Sequence, residues 1–294
     1  MKYDPEILEN LRDNPFVVAP QWKHVRNMLR NIDIYQLYVP RNDDSQKDAM
    51  WDFYWHHRQW MKPYCDLSNF DHCYSSAGVT DAINQWLATE TRPWQYLVGD
   101  YQWPERVSEA GVCVELDELK PDHVLYFSNP QCATGNWASQ EIIDHINAVG
   151  CPVVYDCAYF GSTAQHTIPI PHNTEQIWFG FSKGWGMIGQ RCGMVYTREQ
   201  HRSFNPMQNV GCYDYSRIHM MREIINNTTP VDAWNTLYEQ QYAIARDLNA
   251  DPSDSVMLVT TQDPFFAERV RDSVARVCIS SLFEHNDLLN PNYY

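Results

Sequence analysis

Two stretches in the middle of the chain decide the fold: PVVYDCAYF at residues 152–160 and QIWFGFSKGWGMIGQRCG at residues 176–193. Each begins with a short apolar run, which is typical of a strand buried on both faces. The first run leads into Asp156, and the second leads into Ser182 and Lys183, with Arg191 eight residues later. Because ligands of open α/β sheets bind at the carboxyl ends of strands, these polar residues indicate a site.

The neighbouring sequence repeats the pattern. Further apolar runs at residues 123–128 and 192–196 predict strands, as do shorter runs at 96–100 and 112–116. A helix is predicted over 137–149 and is closed by Gly150, a residue suited to the left-handed conformation after a helix end. Short buried strands with a helix between them favour a βαβ unit, so we expect an α/β fold with a central mixed, mostly parallel sheet.

The flanking regions differ in character from this centre. Aromatic residues fill a predicted helix at 51–60, and apolar residues at helical spacing predict another at 79–89. Beyond residue 198, helices are predicted at 214–226 and 231–250, and strands at 255–261 and 275–281. We therefore expect an N-terminal segment (1–62), a large domain (63–205), and linker helices with a reduced small α+β domain (206–294). The N-terminal segment is expected to pack with the small domain.

Composition excludes several classes of function. The 294 residues carry a net charge of −15, which would repel a nucleic-acid backbone. No apolar run approaches the roughly 20 residues of a membrane helix, and the first five residues lack the pattern of a signal peptide. Nine cysteines without a C-x-x-C pair predict neither a disulfide framework nor a zinc site. We expect a cytoplasmic protein without a bound metal, nucleic acid or membrane.

Lys183 is the residue with the clearest chemical meaning. A lysine directly after a buried strand, followed by a glycine-rich turn and Arg191, would be an unusual choice if its role were only structural. In a site that is partly shielded from water, the pKa of the amine is lowered and the amine becomes a nucleophile toward carbonyls. The rival interpretation is a dinucleotide fingerprint, because residues 184–189 match G-x-G-x-x-G. We reject it, because residues 190–196 resemble a strand where that motif requires a helix.

The order D-x-A-Y followed by F-S-K-x-x-G-x-x-G-x-R-x-G resembles the fold-type I pyridoxal-phosphate (PLP) enzymes, in the class I/II, aspartate-aminotransferase-like branch. The resemblance covers residues 74–200 and a short piece near 276. It implies that Lys183 holds PLP as a Schiff base and carries the Cα proton, and that Asp156 keeps the ring nitrogen protonated. It further implies that Tyr159 hydrogen-bonds the ring oxygen and Arg191 the phosphate.

The resemblance extends to further positions. Val79 and Thr80 match a phosphate loop at a helix start, where backbone N–H groups and the helix dipole favour an anion. Trp103 resembles the aromatic residue that stacks on the ring, and Ser182 is counted with the cofactor-binding residues. Arg276 resembles the arginine that binds the substrate carboxylate, and we predict Asn129 beside it on the substrate side.

Two positions depart from the family pattern. In NPQCATG at residues 129–135, the second asparagine of the family motif is Cys132, and a thiol is a poor hydrogen-bond donor. Gly180 stands where a phosphate-binding hydroxyl is often found. We expect an aminotransferase acting on an α-amino acid and a keto acid, and the resemblance implies a homodimer. A PLP-dependent lyase, decarboxylase, racemase or cyclase remains an alternative, as does a non-catalytic relative of the same fold.

Overall fold

A computed structural model describes residues 3–14, 17, 19, 22–33, 44–211 and 214–283. The remaining positions lie outside it, including Met1 and Lys2 of the sequence considered for a signal peptide, Cys212, and the end of the predicted small domain. The helices are α1 (Pro5–Asp13), α2 (Lys23–Arg30), α3 (Asp44–Met61), α4 (Val79–Leu87), α5 (Trp103–Val107), α6 (Gln140–Val149), α7 (Phe204–Asn209), α8 (Tyr215–Asn227) and α9 (Asp232–Leu248).

The strands form two sheets. They are β1 (His72–Ser76), β2 (Trp94–Leu97), β3 (Gly111–Val114), β4 (Val124–Ser128), β5 (Val153–Cys157), β6 (Thr174–Gly180), β7 (Gly193–Thr197), β8 (Asp251–Pro252), β9 (Leu258–Thr261), β10 (Val270–Arg271) and β11 (Val274–Cys278). Three short 3-10 turns lie at Leu116–Glu118, Pro264–Arg269 and Ser280–Leu282.

The large sheet has seven strands in the order β1-β7-β6-β5-β4-β2-β3. Strands β3, β2, β4, β5 and β6 run parallel, which confirms the α/β fold with a mostly parallel sheet. All residues of β4, β5 and β7 are buried, as expected for strands covered on both faces. The sheet therefore presents the carboxyl ends of five neighbouring strands at one edge.

Strand β7 runs opposite to its neighbours β6 and β1. This reversed strand makes the sheet mixed, as the sequence predicted. A parallel connection needs a crossover, usually a helix, to bring the chain back to the opposite edge of the sheet. Residues 181–192 between β6 and β7 contain only turns, so the chain reverses direction.

Helix α6 provides the crossover between β4 and β5. Its N-cap Ser139 accepts a hydrogen bond from the Ile142 backbone N–H, and Gly150 ends it in the left-handed conformation (φ 75°). The buried face of α6 carries Ile143 and Ile146, which join the core beneath the sheet. This βαβ unit delivers the chain to β5 with Asp156 near its end.

The second sheet is small and antiparallel, in the order β10-β11-β9-β8. Helix α1, from the other end of the chain, contacts β11 and the Pro264–Arg269 turn. Leu8 and Leu11 of α1 share one core cluster with Val277 of β11 and Phe266. The division into domains at residues 62 and 205 stays a prediction.

Two further searches were confined to the part of the chain that the structure describes. Each of its helices is too short or too polar to cross a lipid bilayer. No group of three or more histidine, cysteine, aspartate or glutamate side chains is arranged to hold a metal ion in these ranges.

Candidate active site

Asp156 lies buried near the end of β5. The Tyr126 hydroxyl donates to its Oδ2 at 2.5 Å, and the Ala158 backbone N–H donates to its Oδ1 at 2.8 Å. Burial raises the pKa of Asp156 to about 6, while these two hydrogen bonds and the charge of Lys183 act in the opposite direction. The carboxylate is therefore ionised at neutral pH despite its burial.

Lys183 follows β6 at the same edge of the sheet. Its Nζ donates to the backbone carbonyl of Val17, which lies far away in the sequence. Burial lowers the pKa of Lys183 to about 8; the thiol of Cys278 opposes this shift and the guanidinium of Arg276 adds to it. A large fraction of this amine is unprotonated in mildly alkaline solution, which is the form that attacks a carbonyl.

Asp156 and Lys183 face one site. Their strands are neighbours, with Asp156 opposite Trp178 on β6. The Lys183 ammonium is close enough to lower the pKa of the Asp156 carboxyl. An amine and a carboxylate thus meet at the carboxyl edge of the sheet, where ligands of such sheets bind.

The start of α4 forms an anion cradle. Gly78 precedes the helix at a φ of 80°, and Arg191 packs directly over it, because a Cβ on Gly78 would lie 3.3 Å from Arg191 Nη2. Within the described ranges, no residue forms a hydrogen bond or ion pair with the Arg191 guanidinium. Val79 and Thr80 occupy the first turn of α4, where the helix dipole is positive. An unpaired guanidinium beside a helix N-terminus fits a phosphate.

Gly180 keeps this cradle open on the β6 side. A Cβ at Gly180 would lie 3.3 Å from Val79 Cγ2, so even a small side chain there would crowd the first turn of α4. Compared with a residue that carries a hydroxyl, glycine at position 180 provides one hydrogen-bond donor fewer and leaves more space beside the first turn of α4. Asp81 of the same turn accepts from the Ala77 backbone N–H at 2.8 Å and so is engaged locally.

Arg276 on β11 organises the other side of the site. Its Nη1 donates to the Cys132 carbonyl at 2.5 Å, to Cys132 Sγ at 3.1 Å and to the Tyr159 hydroxyl at 3.1 Å. Burial raises the pKa of Tyr159, and Arg276 opposes that shift. No acceptor for Nη2 or Nε of Arg276 is found in the described chain, so the second edge of this guanidinium can take a carboxylate.

Asp100 is a buried carboxyl that the sequence did not single out. It accepts from the Tyr101 backbone N–H at 2.6 Å, from the Ser128 backbone N–H at 3.1 Å and from the Ser128 hydroxyl. Burial raises the pKa of Asp100 to about 7, and the nearby Asp156 adds to this shift. Ser128 Oγ in turn accepts from the Cys132 backbone N–H at 3.1 Å, so Asp100 links the loop after β2 to the loop after β4.

Trp103 lies beside helix α4. It begins α5, and its indole N–H donates to Asn84 Oδ1 of α4 at 3.0 Å. Tyr101, two residues earlier, is an aromatic residue whose hydroxyl interacts electrostatically with Asp156. Burial raises the pKa of Tyr101, as do Asp156 and Cys132, whereas a hydrogen bond with Thr80 lowers it. Tyr101 is thus a second aromatic residue near Asp156, and the stacking role of Trp103 stays a prediction.

Asn129 is buried in the loop after β4, and Ser182 lies after the end of β6. The Asn129 side chain donates to the Tyr155 hydroxyl at 2.5 Å and accepts from the Ala138 backbone N–H at 2.7 Å. Both ends of this buried amide are engaged by the protein, so it shapes the loop around Cys132. Ser182 is half-buried, and the structure gives its hydroxyl no hydrogen bond with a described residue; the predicted roles of Asn129 and Ser182 stay predictions.

A separate cavity of about 300 Å³ lies beside the start of α4. Its walls include Tyr54, Tyr74, Asp81 and Arg217, but not Asp156, Lys183, Arg191 or Arg276. It borders the candidate site and is not that site.

Comparisons with known proteins were made on the sequence and on the structure. No family model and no curated protein matches the sequence. The structure resembles a probable N-succinyldiaminopimelate aminotransferase from Thermus thermophilus, with a TM-score of 0.65 and 12% identity over 94% of this chain and 95% of the other.

Two further solved structures give the same result. An aspartate aminotransferase double mutant from Thermus thermophilus matches with a TM-score of 0.63 and 14% identity, over 98% of this chain and 94% of the other. An aromatic aminotransferase from Pyrococcus horikoshii matches with a TM-score of 0.63 and 13% identity, over 90% of both chains. This chain therefore has the fold of the class I aminotransferases, which is the fold of the type I PLP enzymes.

Proposed function

We propose that this protein binds pyridoxal phosphate and is an aminotransferase that acts on an α-amino acid and a keto acid. The observation that carries the proposal is one combination of groups: a half-buried amine of lowered pKa, a buried carboxylate that interacts with it electrostatically, and, at a helix N-terminus, a guanidinium without a partner among the described residues. Each matches one part of the cofactor, namely the aldehyde, the ring nitrogen and the phosphate.

The residues of the site fit this cofactor. Arg191, with the backbone of Val79 and Thr80, would hold the phosphate. Asp156 would hold a proton on the ring nitrogen, because an ionised carboxylate in a buried site pairs strongly with a cation. Cys132 lies where the family has the amide donor to the ring oxygen, so Tyr159 would be the main donor there. We assign the ring-facing aromatic position to Tyr101.

When bound, PLP would supply an aldehyde that condenses with an amine, with loss of water, and a ring that draws electrons away from the substrate Cα. Lys183 would hold the cofactor and, once released by substrate, take the proton from Cα as a general base. The free edge of Arg276 would orient the substrate carboxylate, which selects the bond that breaks. Burial of the site excludes water and strengthens each of these electrostatic contacts.

The visible absorbance of the protein mixed with PLP tests this proposal. Wild type should develop the absorbance of a Schiff base, and Lys183→Ala should not; the exposed Lys62→Ala is the matched control. Adding an amino acid to wild type should convert that band to the amine form. An unchanged band in Lys183→Ala would show that another group binds the cofactor and would overturn the proposal.

The substitution of Cys132 for the amide donor favours one second candidate, a PLP-dependent lyase, decarboxylase, racemase or cyclase on the same scaffold. A changed donor to the ring oxygen alters which bond at Cα is most easily broken. Product formed from an amino acid without any keto acid would support this candidate. Product that requires a keto acid would support the aminotransferase.

We further propose a cytoplasmic homodimer. The described cysteines are free rather than paired in disulfides, which suits a reducing compartment. Sedimentation velocity would show whether the protein runs as a monomer or as a dimer.

A further inference from the structure

The thiol of Cys132 lies beside two guanidinium groups. Arg276 Nη1 lies 3.1 Å from its sulfur, and Arg271 Nη1 lies 3.5 Å from it. The backbone of Cys132 is held as well, because its N–H donates to Ser128 Oγ at 3.1 Å and its carbonyl accepts from Arg276 Nη1 at 2.5 Å. The sulfur therefore has a defined position, and the charged groups in contact with it are both cations.

Cys132 belongs to the interior of the candidate site. It is only 4% exposed. It also raises the pKa of Lys183 and of Tyr159, which agrees with its closeness to both side chains. A reagent that reaches this sulfur must therefore enter the site, whereas the thiol of Cys113 on β3 is exposed and reacts from bulk solvent.

Arg276 has hydrogen-bond donors left over beside this sulfur. The residue is 8% exposed, yet its Nη2 and Nε have no acceptor among the described residues. No acidic group of the described chain forms an ion pair with it. A carboxylate fits the planar edge of such a guanidinium. A carboxylate bound at this edge is separated from Cys132 Sγ only by the width of the guanidinium group, because Nη1 of the same group contacts the sulfur.

A thiol next to a bound carboxylate can react with an acid whose double bond is conjugated to that carboxylate. The sulfur adds to the β-carbon: an S–C bond forms and the π bond breaks. The thiol proton passes to solvent and the α-carbon takes a proton, so the step needs no oxidant and releases no leaving group. Negative charge moves toward the carboxylate during addition, and a guanidinium already bound to it stabilises that charge.

We propose that Cys132 is a site of covalent modification by small α,β-unsaturated carboxylates, which Arg276 binds by the carboxylate and Cys132 captures at the β-carbon. The proposal shares with the proposed function only the binding of a carboxylate by Arg276. The adduct keeps its carboxylate on Arg276, so it occupies the position of the substrate and blocks it. A cysteine that reacts only because it is accessible would show no such dependence on charge.

Peptide mass spectrometry of the PLP-loaded protein, treated with fumarate or with its neutral diamide fumaramide, tests the proposal. Cys113 is the internal control. An amide activates a conjugated double bond more than a carboxylate does, so Cys113 should react faster with the diamide. The ratio of the fumarate rate to the fumaramide rate should be at least ten-fold higher at Cys132 than at Cys113, because the charge-assisted hydrogen bonds hold only the acid.

Competition and variants separate binding from reactivity. Succinate, which has no double bond, should protect Cys132 from fumarate and leave the labelling of Cys113 unchanged. Arg276→Gln should lower the preference of Cys132 for fumarate to that of Cys113, and the exposed Arg106→Gln should behave as wild type. Arg276→Lys keeps the charge without the fork of donors and should retain part of the preference, which distinguishes lost carboxylate binding from a folding defect.

Three results would overturn the proposal: no fumarate adduct on Cys132, the same ratio of rates at both cysteines, or labelling of Cys132 that succinate does not slow. Failure of the proposed function would appear separately, as a missing absorbance band when PLP is added. The adduct on Cys132 is still measured on that protein, because it is identified by the mass of the peptide.

Discussion

Tyr126 on β4 donates its hydroxyl to Asp156 on the neighbouring strand β5, at 2.5 Å from Oδ2. The Ala158 backbone N–H occupies Oδ1 at 2.8 Å. Each oxygen of a carboxylate has room for more than one donor. The two protein donors therefore fix the plane of the carboxylate and stabilise its charged form, while they leave it able to accept a further proton donor.

Tyr126→Phe tests this relationship. Loss of the hydroxyl removes a hydrogen bond that lowers the pKa of Asp156, so this pKa should rise above its present value of about 6. Because the proposed role needs the ionised carboxylate, activity should fall as the pH drops through that pKa, and this fall should begin at a higher pH in the variant. The pH profile of kcat checks the shift, and an acidic limb at the same pH in both proteins would contradict it.

Arg191→Gln tests the anion cradle. Removal of a guanidinium that pairs with a phosphate should weaken PLP binding by about 1.5–3 kcal/mol, or roughly ten- to a hundred-fold. Pyridoxal, which lacks the phosphate, should bind wild type and variant about equally. Titrations followed by absorbance check both affinities, with Arg106→Gln as the control for lost charge. An equal loss of affinity for both ligands would assign Arg191 a structural role.

Asp100→Asn tests the second buried carboxyl through stability. Burial raises the pKa of Asp100 from 3.8 to about 7. A raised acid pKa means that the folded protein prefers the protonated form. The stability that this group contributes is present below pH 3.8 and is lost as the pH rises to about 7. The unfolding free energy of wild type relative to Asp100→Asn should therefore decrease by up to about 4 kcal/mol across that range.

Urea unfolding at both ends of this pH range measures that difference. In Asp100→Asn the amide N–H₂ faces the Ser128 backbone N–H, so one hydrogen bond is lost. The variant is therefore less stable than wild type at acid pH. A constant difference between the two proteins across the range would show that Asp100 has an ordinary pKa.

Gly78→Ala tests the backbone at the start of α4. Gly78 has a φ of 80° and a ψ of 175°, a region that residues with a Cβ rarely adopt. We expect a loss of about 1–3 kcal/mol in unfolding free energy, and weaker PLP binding because the new methyl group presses on Arg191. Gly189→Ala is the matched control, since a Cβ at Gly189 meets nothing within 4 Å. Equal stability of the two variants would contradict the prediction.

The central strands could be predicted because their apolar runs are buried on both faces. Residues 123–128, 152–155 and 176–181 match β4, β5 and β6 closely. The direction of β7 could not be predicted from its own residues, since an apolar run has the same composition in either direction. It depends on the length and content of the connection before it.

Local motifs did not predict the direction of side chains in the loops. Trp103 is the first residue of α5 and donates its indole N–H to Asn84, and its predicted stacking role stays a prediction. Tyr101 and Asp100 lie in the loop after β2. A loop has no regular periodicity from which the direction of its side chains can be predicted. The contact between Arg271 and Cys132 could not be predicted either, because the two residues lie 139 positions apart in the sequence.

The hydrogen bond from Lys183 to the Val17 carbonyl joins positions separated by 166 residues. During synthesis, the beginning of the chain leaves the ribosome long before this lysine does. In an unassembled chain the amine is hydrated, carries its ordinary pKa, and is protonated and inert at neutral pH. In the folded protein burial lowers the pKa of this amine to about 8, so the nucleophile is a product of the tertiary structure.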